Sequence, residues 1–275
     1  RGTGMATGAG GAANLRETDM DSGMQGKVGI VTGASRGIGK AIALRLSGEG
    51  MRLVIAARSG EALAEVAAAC GPDCVALPLD LRAPEAPQEL IDFTLARFGR
   101  LDVLVNNAGA TKRGDFLELS EADWQDGFAL KFFGGMRCAR AAWPHLVQAQ
   151  GAIVNIVGVG GRTGTAEFAI GGAVNAGLMN LTKVLADRGL QDGVRVCAIN
   201  PGSIATERLQ TRIHTLAVER GIAAEQAASE MAKKLGVARF GKPEEIAAAV
   251  AFLLSPQAAY CQGVILDVDG GQTRT

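Results

Sequence analysis

The stretch Thr32-Gly33-Ala34-Ser35-Arg36-Gly37-Ile38-Gly39 follows a short apolar run, Val28–Thr32, and opens a helical pattern over Ile38–Gly48. A strand that feeds a glycine-rich turn at the start of a helix is an arrangement for binding phosphate. Gly33 permits the tight turn, Gly37 lets the main chain approach a pyrophosphate, and Gly39 lets helix and strand pack closely; Ser35, Arg36 and Ile38 complete the loop. A plain glycine-rich turn is the bland alternative, because the chain holds 38 glycines. Its placement between strand and helix favours a dinucleotide.

Outward from that turn, short apolar runs alternate with helical patterns. The candidate strands are Val28–Thr32, Arg52–Ala57, Cys74–Leu79, Leu101–Asn106, Ala152–Val157, Arg195–Ile199 and Val264–Val268. Helical stretches include Glu61–Cys70 and Glu85–Phe98, with two longer ones over 121–149 and 167–189. Strands apolar on both faces and separated by helices predict an α/β protein, a Rossmann-type doubly wound parallel sheet of about seven strands with helices on both faces. Residues 1–24, rich in Gly, Ala and Thr without periodicity, are expected to form a flexible tail, and 25–275 a single domain.

Composition narrows the partners. Apolar residues make up 48% of the 275 residues, enough for a packed core. Lys+Arg and Asp+Glu are 28 each, so no charge excess points to nucleic acid or an anionic membrane. The longest apolar run, Ile246–Leu254, is too short to span a bilayer. Five scattered cysteines, at 70, 74, 138, 197 and 261, read as reduced thiols of a cytoplasmic protein. No metal is expected, since His145 and His214 lie far from any cysteine pair.

The second strand ends Ile55-Ala56-Ala57-Arg58, without the acidic residue that grips the 2′-hydroxyl of NAD. Arg58, helped by Arg36, would instead pair with a 2′-phosphate, which makes NADP(H) the expected cofactor. An ordinary solvated arginine at a helix start is the competing reading.

From about Gly26 onward the chain resembles the short-chain dehydrogenase/reductase family. The matching residues are the 32–39 turn, Asp80-Leu81, Asn106-Asn107-Ala108-Gly109, Asn200-Pro201-Gly202 with Ile204 and Thr206, and Asp269-Gly270-Gly271. The resemblance implies that Asp80 and Leu81 meet the adenine and that Asn107, Ala108 and Gly109 flank the ribose. Pro201, Gly202, Ile204 and Thr206 would cover the nicotinamide. It also implies a small carbonyl or alcohol substrate and a homotetramer or homodimer built on the two long helices.

Four residues do the chemistry in that family: a tyrosine for the proton, a lysine one helical turn later, an upstream serine, and an asparagine in the preceding long helix. Free tyrosine, with a pKa near 10, needs the adjacent positive charge to act at neutral pH. This sequence departs at all four. In the register fixed by Ala176-Gly177-Leu178, Gly171 holds the tyrosine position and Asn175 the lysine position; Gly158 holds the serine position and Lys131 the asparagine position. The one tyrosine, Tyr260, lies before the last strand with no partner in sequence to activate it.

Lys131 is then the candidate proton donor or base, and Asn175 a candidate ribose ligand. The competing readings make Lys131 a charge that compensates for the lysine missing at 175, or pair it with Glu167, on one stripe with Gly171 and Asn175. Arg162, Thr163 and Thr165 could bind a substrate anion or be loop polarity. The charged helical segment from Glu207 to Lys242 matches a substrate lid. Two functions remain open: an NADP(H) oxidoreductase with a non-standard active site, or a catalytically silent NADP(H)-binding protein. Elimination or hydration is disfavoured because Gly33, Gly37 and Gly39 are retained.

Overall fold

A computed structural model describes residues 22–273. Seven strands, β1 (Val28–Thr32), β2 (Arg52–Ala57), β3 (Cys74–Pro78), β4 (Val103–Asn106), β5 (Ala152–Ile156), β6 (Arg195–Pro201) and β7 (Ile265–Val268), form one sheet in the order β3-β2-β1-β4-β5-β6-β7. Every pairing is parallel. The order reverses between β1 and β4, and a doubly wound sheet opens its binding crevice at that point.

Helices cover both faces: α1 (Gly37–Gly48), α2 (Gly60–Cys70), α3 (Ala86–Phe98), α4 (Glu121–Phe128), α5 (Gly135–Ala149), α6 (Ala169–Asp192), α7 (Glu207–Arg220), α8 (Ala224–Leu235) and α9 (Pro243–Leu254). One apolar layer joins α1 and α9 to the sheet through Ile42, Leu46, Ile246 and Val250; the other joins α3 and α5 through Leu90, Ile91, Cys138 and Leu146. Strands buried on both faces are why their sequences run apolar without alternation.

Several boundaries shift for physical reasons. β4 starts at Val103 rather than Leu101, because the Asp102 carboxylate accepts from Val28 N (2.8 Å) and pairs with Arg100. The expected 121–149 helix contains a wider π-helical turn over Ala129–Gly134. Met24, assigned to the tail, is buried in the core, so the folded unit begins before residue 25; residues 1–21 lie outside the described residues. Ala166–Asp192 is long and apolar enough to cross a membrane by length and mean hydropathy (1.2), a helix the search for apolar runs overlooked. Here Ile170, Val174 and Leu178 of that helix pack with Val157 and Ala198 on the sheet.

Two conditions shape the crevice. A Cβ on Gly39 would overlap Gly33 O, so strand and helix approach only because that side chain is hydrogen. The Thr32 hydroxyl accepts from Asn107 N and Ala108 N, both at 3.0 Å, and reaches Val105 O at 3.3 Å. Thr32→Val keeps the shape and orphans those partly buried donors. It is expected to lower unfolding free energy by roughly 2–4 kcal/mol, read from denaturant unfolding; a change below about 0.5 kcal/mol would show that water replaces the hydroxyl.

Candidate functional site

The nucleotide half assembles at the ends of β1, β2, β3 and β4. Gly33 (φ +67) and Gly37 (φ +56) hold left-handed conformations that L side chains seldom adopt. No side chain caps the start of α1 at Arg36, which leaves the first-turn N–H groups open to an anion. Asn107 fixes the turn from across the crevice, donating from Nδ2 to Thr32 O (2.9 Å) and Gly33 O (3.1 Å).

Arg58 is exposed at the end of β2 and makes no ion pair among the described residues. Arg36 reaches instead toward Glu207 at the start of α7, at 3.5 Å and with both groups largely in solvent; such a pair yields easily to a stronger anion. Asp80 is held by Arg82 (2.7 Å), which lowers its carboxyl below the usual range. The Leu81 side chain is buried in the core, so only its main chain faces outward chemistry. Pro201 ends β6; a Cβ on Gly202 would stand 2.7 Å from Asp269 Cα, and Ile204 is buried under the lid.

The other half gathers after β4, β5 and β6. Lys131 sits in the π turn, and its chain runs along Gly109, where an added Cβ would come within 2.7 Å of the lysine Cδ. Its Nζ donates to Val157 O and to Asn175 Oδ1 (2.7 Å). Burial, then the nearby Arg208, press the ammonium down to about 7. Asn175 is buried, and a Cβ on Gly158 (φ +137) would stand 3.0 Å from its Nδ2. Lys131, Asn175 and Gly158 therefore lie together.

Two expectations are corrected and one is narrowed. Lys131 does not pair with Glu167; the amide and carbonyl oxygens nearest its Nζ satisfy it first. Arg162 is tied to Asp267 of β7 (2.9 Å), which withdraws it from a substrate anion. Asn175 is committed through Oδ1 to Lys131, leaving its Nδ2 as the group free to meet a ribose.

Three residues escaped sequence reasoning. Phe168 lays its ring where a Cβ on Gly171 would project, and also 2.7 Å from a Cβ on Gly160. Arg113 covers that ring, with its guanidinium carbon 4.0 Å from the centroid. Arg208, on the lid, donates to Gly109 O (3.2 Å). A usable signal existed for Phe168: a glycine at a position of a large side chain invites the aromatic one turn before it to fill the gap. Tyr260 is fully exposed.

Gly171→Ala should cost about 1–3 kcal/mol by pushing Phe168 out of its place. In a Phe168→Ala background the same change should be neutral or stabilising by up to about 1 kcal/mol, as alanine is the better helix former. Thermal or denaturant unfolding of the double-mutant cycle measures this, and additive effects would mean that the ring is not pressed against Gly171.

Residues 33–273 match the profile of a family described as Enoyl-(Acyl carrier protein) reductase. The chain is 35% identical over 251 residues to a 3-oxoacyl-[acyl-carrier-protein] reductase of Synechocystis sp., covering 89% of this chain and 96% of that protein. It is 34% identical to the corresponding reductase of Vibrio cholerae, covering 90% and 98%. Among solved structures, L-sorbose reductase from Gluconobacter frateurii, complexed with NADPH and L-sorbose, superposes with a TM-score of 0.89 at 32% identity, over 93% of this chain and 100% of that one. An actinorhodin polyketide ketoreductase with NADPH gives 0.86 at 30%, over 91% and 98%. Parallel sheet, glycine turn and these matches together place the chain in the short-chain dehydrogenase/reductase family.

Proposed function

We propose that the chain interconverts a small carbonyl compound and its alcohol with NADP(H), through a non-standard active site in which Lys131 handles the proton. The observation that carries this reading is the Lys131 ammonium held between Val157 O and Asn175 Oδ1, beside Gly109. Similarity to reductases, including ketoreductases solved with NADPH, supports the reaction class.

The residues present fit such a cofactor: the uncapped start of α1 and the two left-handed glycines leave main-chain N–H groups open for a pyrophosphate. Gly33, Ser35, Arg36, Gly37, Ile38 and Gly39 would hold it, with Arg58 on the 2′-phosphate. Asp80 and Leu81 would border the adenine, Asn107, Ala108 and Gly109 the ribose, and Asn175 the second ribose. Pro201, Gly202, Ile204 and Thr206 would lie on the nicotinamide. The bound group supplies or accepts the hydride.

The remaining work falls to this chain. With a pKa near 7, Lys131 populates both protonation states at neutral pH. In reduction its Nζ–H gives a proton to the substrate oxygen; in oxidation the neutral amine takes one back. Asn175 and Val157 O fix the Nζ, so the proton is offered from a set position. Exposed Phe133, Val184 and Leu190, on the π turn and α6, support assembly as a homodimer or homotetramer.

The second reading, a silent NADP(H)-binding protein, is favoured by the Phe168 ring filling the space beside Gly171. NADPH oxidation across a carbonyl panel, by protein first shown to bind NADPH, separates the two. Binding without oxidation anywhere in the panel would establish the silent protein.

Two outcomes are expected. NADPH should bind about ten- to a hundredfold more tightly than NADH, and Arg58→Ala should erase the difference; equal binding by the unaltered protein would remove Arg58 from the site. Reductive kcat/KM should fall as pH rises through about 7 and oxidative kcat/KM should rise, because reduction needs the charged lysine and oxidation the neutral one. Lys131→Met should abolish this profile and slow turnover about a hundredfold or more. An unchanged profile would assign the proton to another group.

A further inference from the structure

We infer that the substrate carries an anionic group, a carboxylate or phosphate, received by the guanidinium groups of Arg113, Arg208 and Arg212 beside Lys131. The inference rests on the reaction proposed above and adds the class of compound that enters it.

Two separate segments bring these cations together. Arg113 follows β4 and lies over Phe168, which itself stands against Gly171 and Gly160. Arg208 and Arg212 project from one face of α7 at i, i+4 spacing. Arg208 reaches Gly109 O at 3.2 Å, and Gly109 is the residue along which the Lys131 side chain passes. Among the described residues none of the three arginines has a carboxylate partner.

The like charges lie near enough to act on one another. After burial, Arg212 and Arg208 push the Arg113 guanidinium down, with Glu167 alone opposing them. Arg208 likewise presses on Lys131, and Arg36 on Arg208. Other lid and loop cations are balanced: Arg36 by Glu207, Lys112 by Asp123, Arg220 by Glu230. Unbalanced like charges in a crevice raise the free energy of the empty site, and an entering anion relieves it. Guanidinium forks fit planar carboxylate or phosphate oxygens two at a time.

The cofactor's own phosphates belong elsewhere on the edge than Arg113 and Arg212, and Arg208 alone stands within the field of Arg36. The uncapped start of α1 and Arg58 follow β1 and β2, whereas Arg113, Phe168 and Arg212 follow β4, β5 and β6. A carbonyl beside Lys131 with its anion on the arginines describes an oxo acid or a phosphorylated ketone.

Calorimetric titration of the protein saturated with NADP+ tests this with charged and neutral pairs: phenylpyruvate and its methyl ester, acetoacetate and acetoacetamide, dihydroxyacetone phosphate and dihydroxyacetone. At least one charged member should bind about tenfold or more tightly than its neutral counterpart. The acid pairs and the phosphate pair distinguish the two anions. The preference should shrink between about 0.05 and 0.5 M salt and fall to within about threefold in Arg113→Gln/Arg212→Gln. Arg212→Gln alone, a change on the surface of α7, serves if the double variant does not fold. Charged and neutral members binding alike, no charged member binding, or a preference that survives these substitutions would overturn the inference. Because the ratio is read from binding, failure of turnover counts against the proposed reaction and leaves the ratio standing. If NADP+ does not bind, the same ratio is read on the protein alone.

Discussion

The hydroxyl of Thr32 and the amide of Asn107 hold the two loops between which everything else is arranged. Neighbouring strands β1 and β4 send their chains to opposite faces of the sheet, so the gap between their C-terminal ends has no helix to fill it. Left alone, two loops at such a gap would move independently. Thr32 accepts two main-chain N–H groups of the second loop, and Asn107 returns its Nδ2 to two carbonyls of the first. The glycine turn is thus fixed from across the crevice. Asn107 Nδ2 and Gly33 O also occupy the room a side chain at residue 39 would take. A single hydrogen-bonded clamp sets both the shape of the crevice and the need for glycine beneath it.

On the far side of that clamp the charge in the crevice is carried by an unusual route. Under the proposed assignment, Lys131 from the helix before β5 and Asn175 from the helix after it reverse the order in which the family pattern carries this amide and this amine. The exchange keeps a cation and an amide in contact while moving the cation's stem to the other wall. The stem can cross because residue 109 has no side chain and because the π turn opens the helix at Lys131. Two oxygens on Nζ offset part of the cost of burying the ammonium; the part that remains appears as its lowered pKa.

Much of this was legible in the sequence, and the limits have physical causes. β1 and β2 were recognised to the residue because fully buried parallel strands are continuous apolar runs bounded by turn residues. The places of Lys131, Asn175 and Gly158 in the chain came from the resemblance to a family pattern, and their contacts from the structure. Phe168 was not legible, since a ring's direction depends on which neighbours lack side chains. Glu167 and Arg162 misled for a related reason: helical or loop spacing shows which charges can meet, and closer oxygens decided which did. The arginine group was invisible because Arg113 is far in sequence from Arg208 and Arg212 and meets them only through the lid.

Under the proposed assignment, the two glycines are more than deletions of a serine and a tyrosine. At Gly158 the backbone has φ +137, a conformation that strains any L side chain, and Asn175 Nδ2 stands 3.0 Å from where the Cβ would be. At Gly171 the Phe168 ring fills the place, and Arg113 in turn rests on the ring. Restoring either residue therefore meets resistance from partners that exist only in the present arrangement. Apolar ring, stacked guanidinium and oxygen-held ammonium pack against one another as a coherent set. Such mutual dependence belongs to a repacked site, and it holds whether that site turns a substrate over or only binds the cofactor.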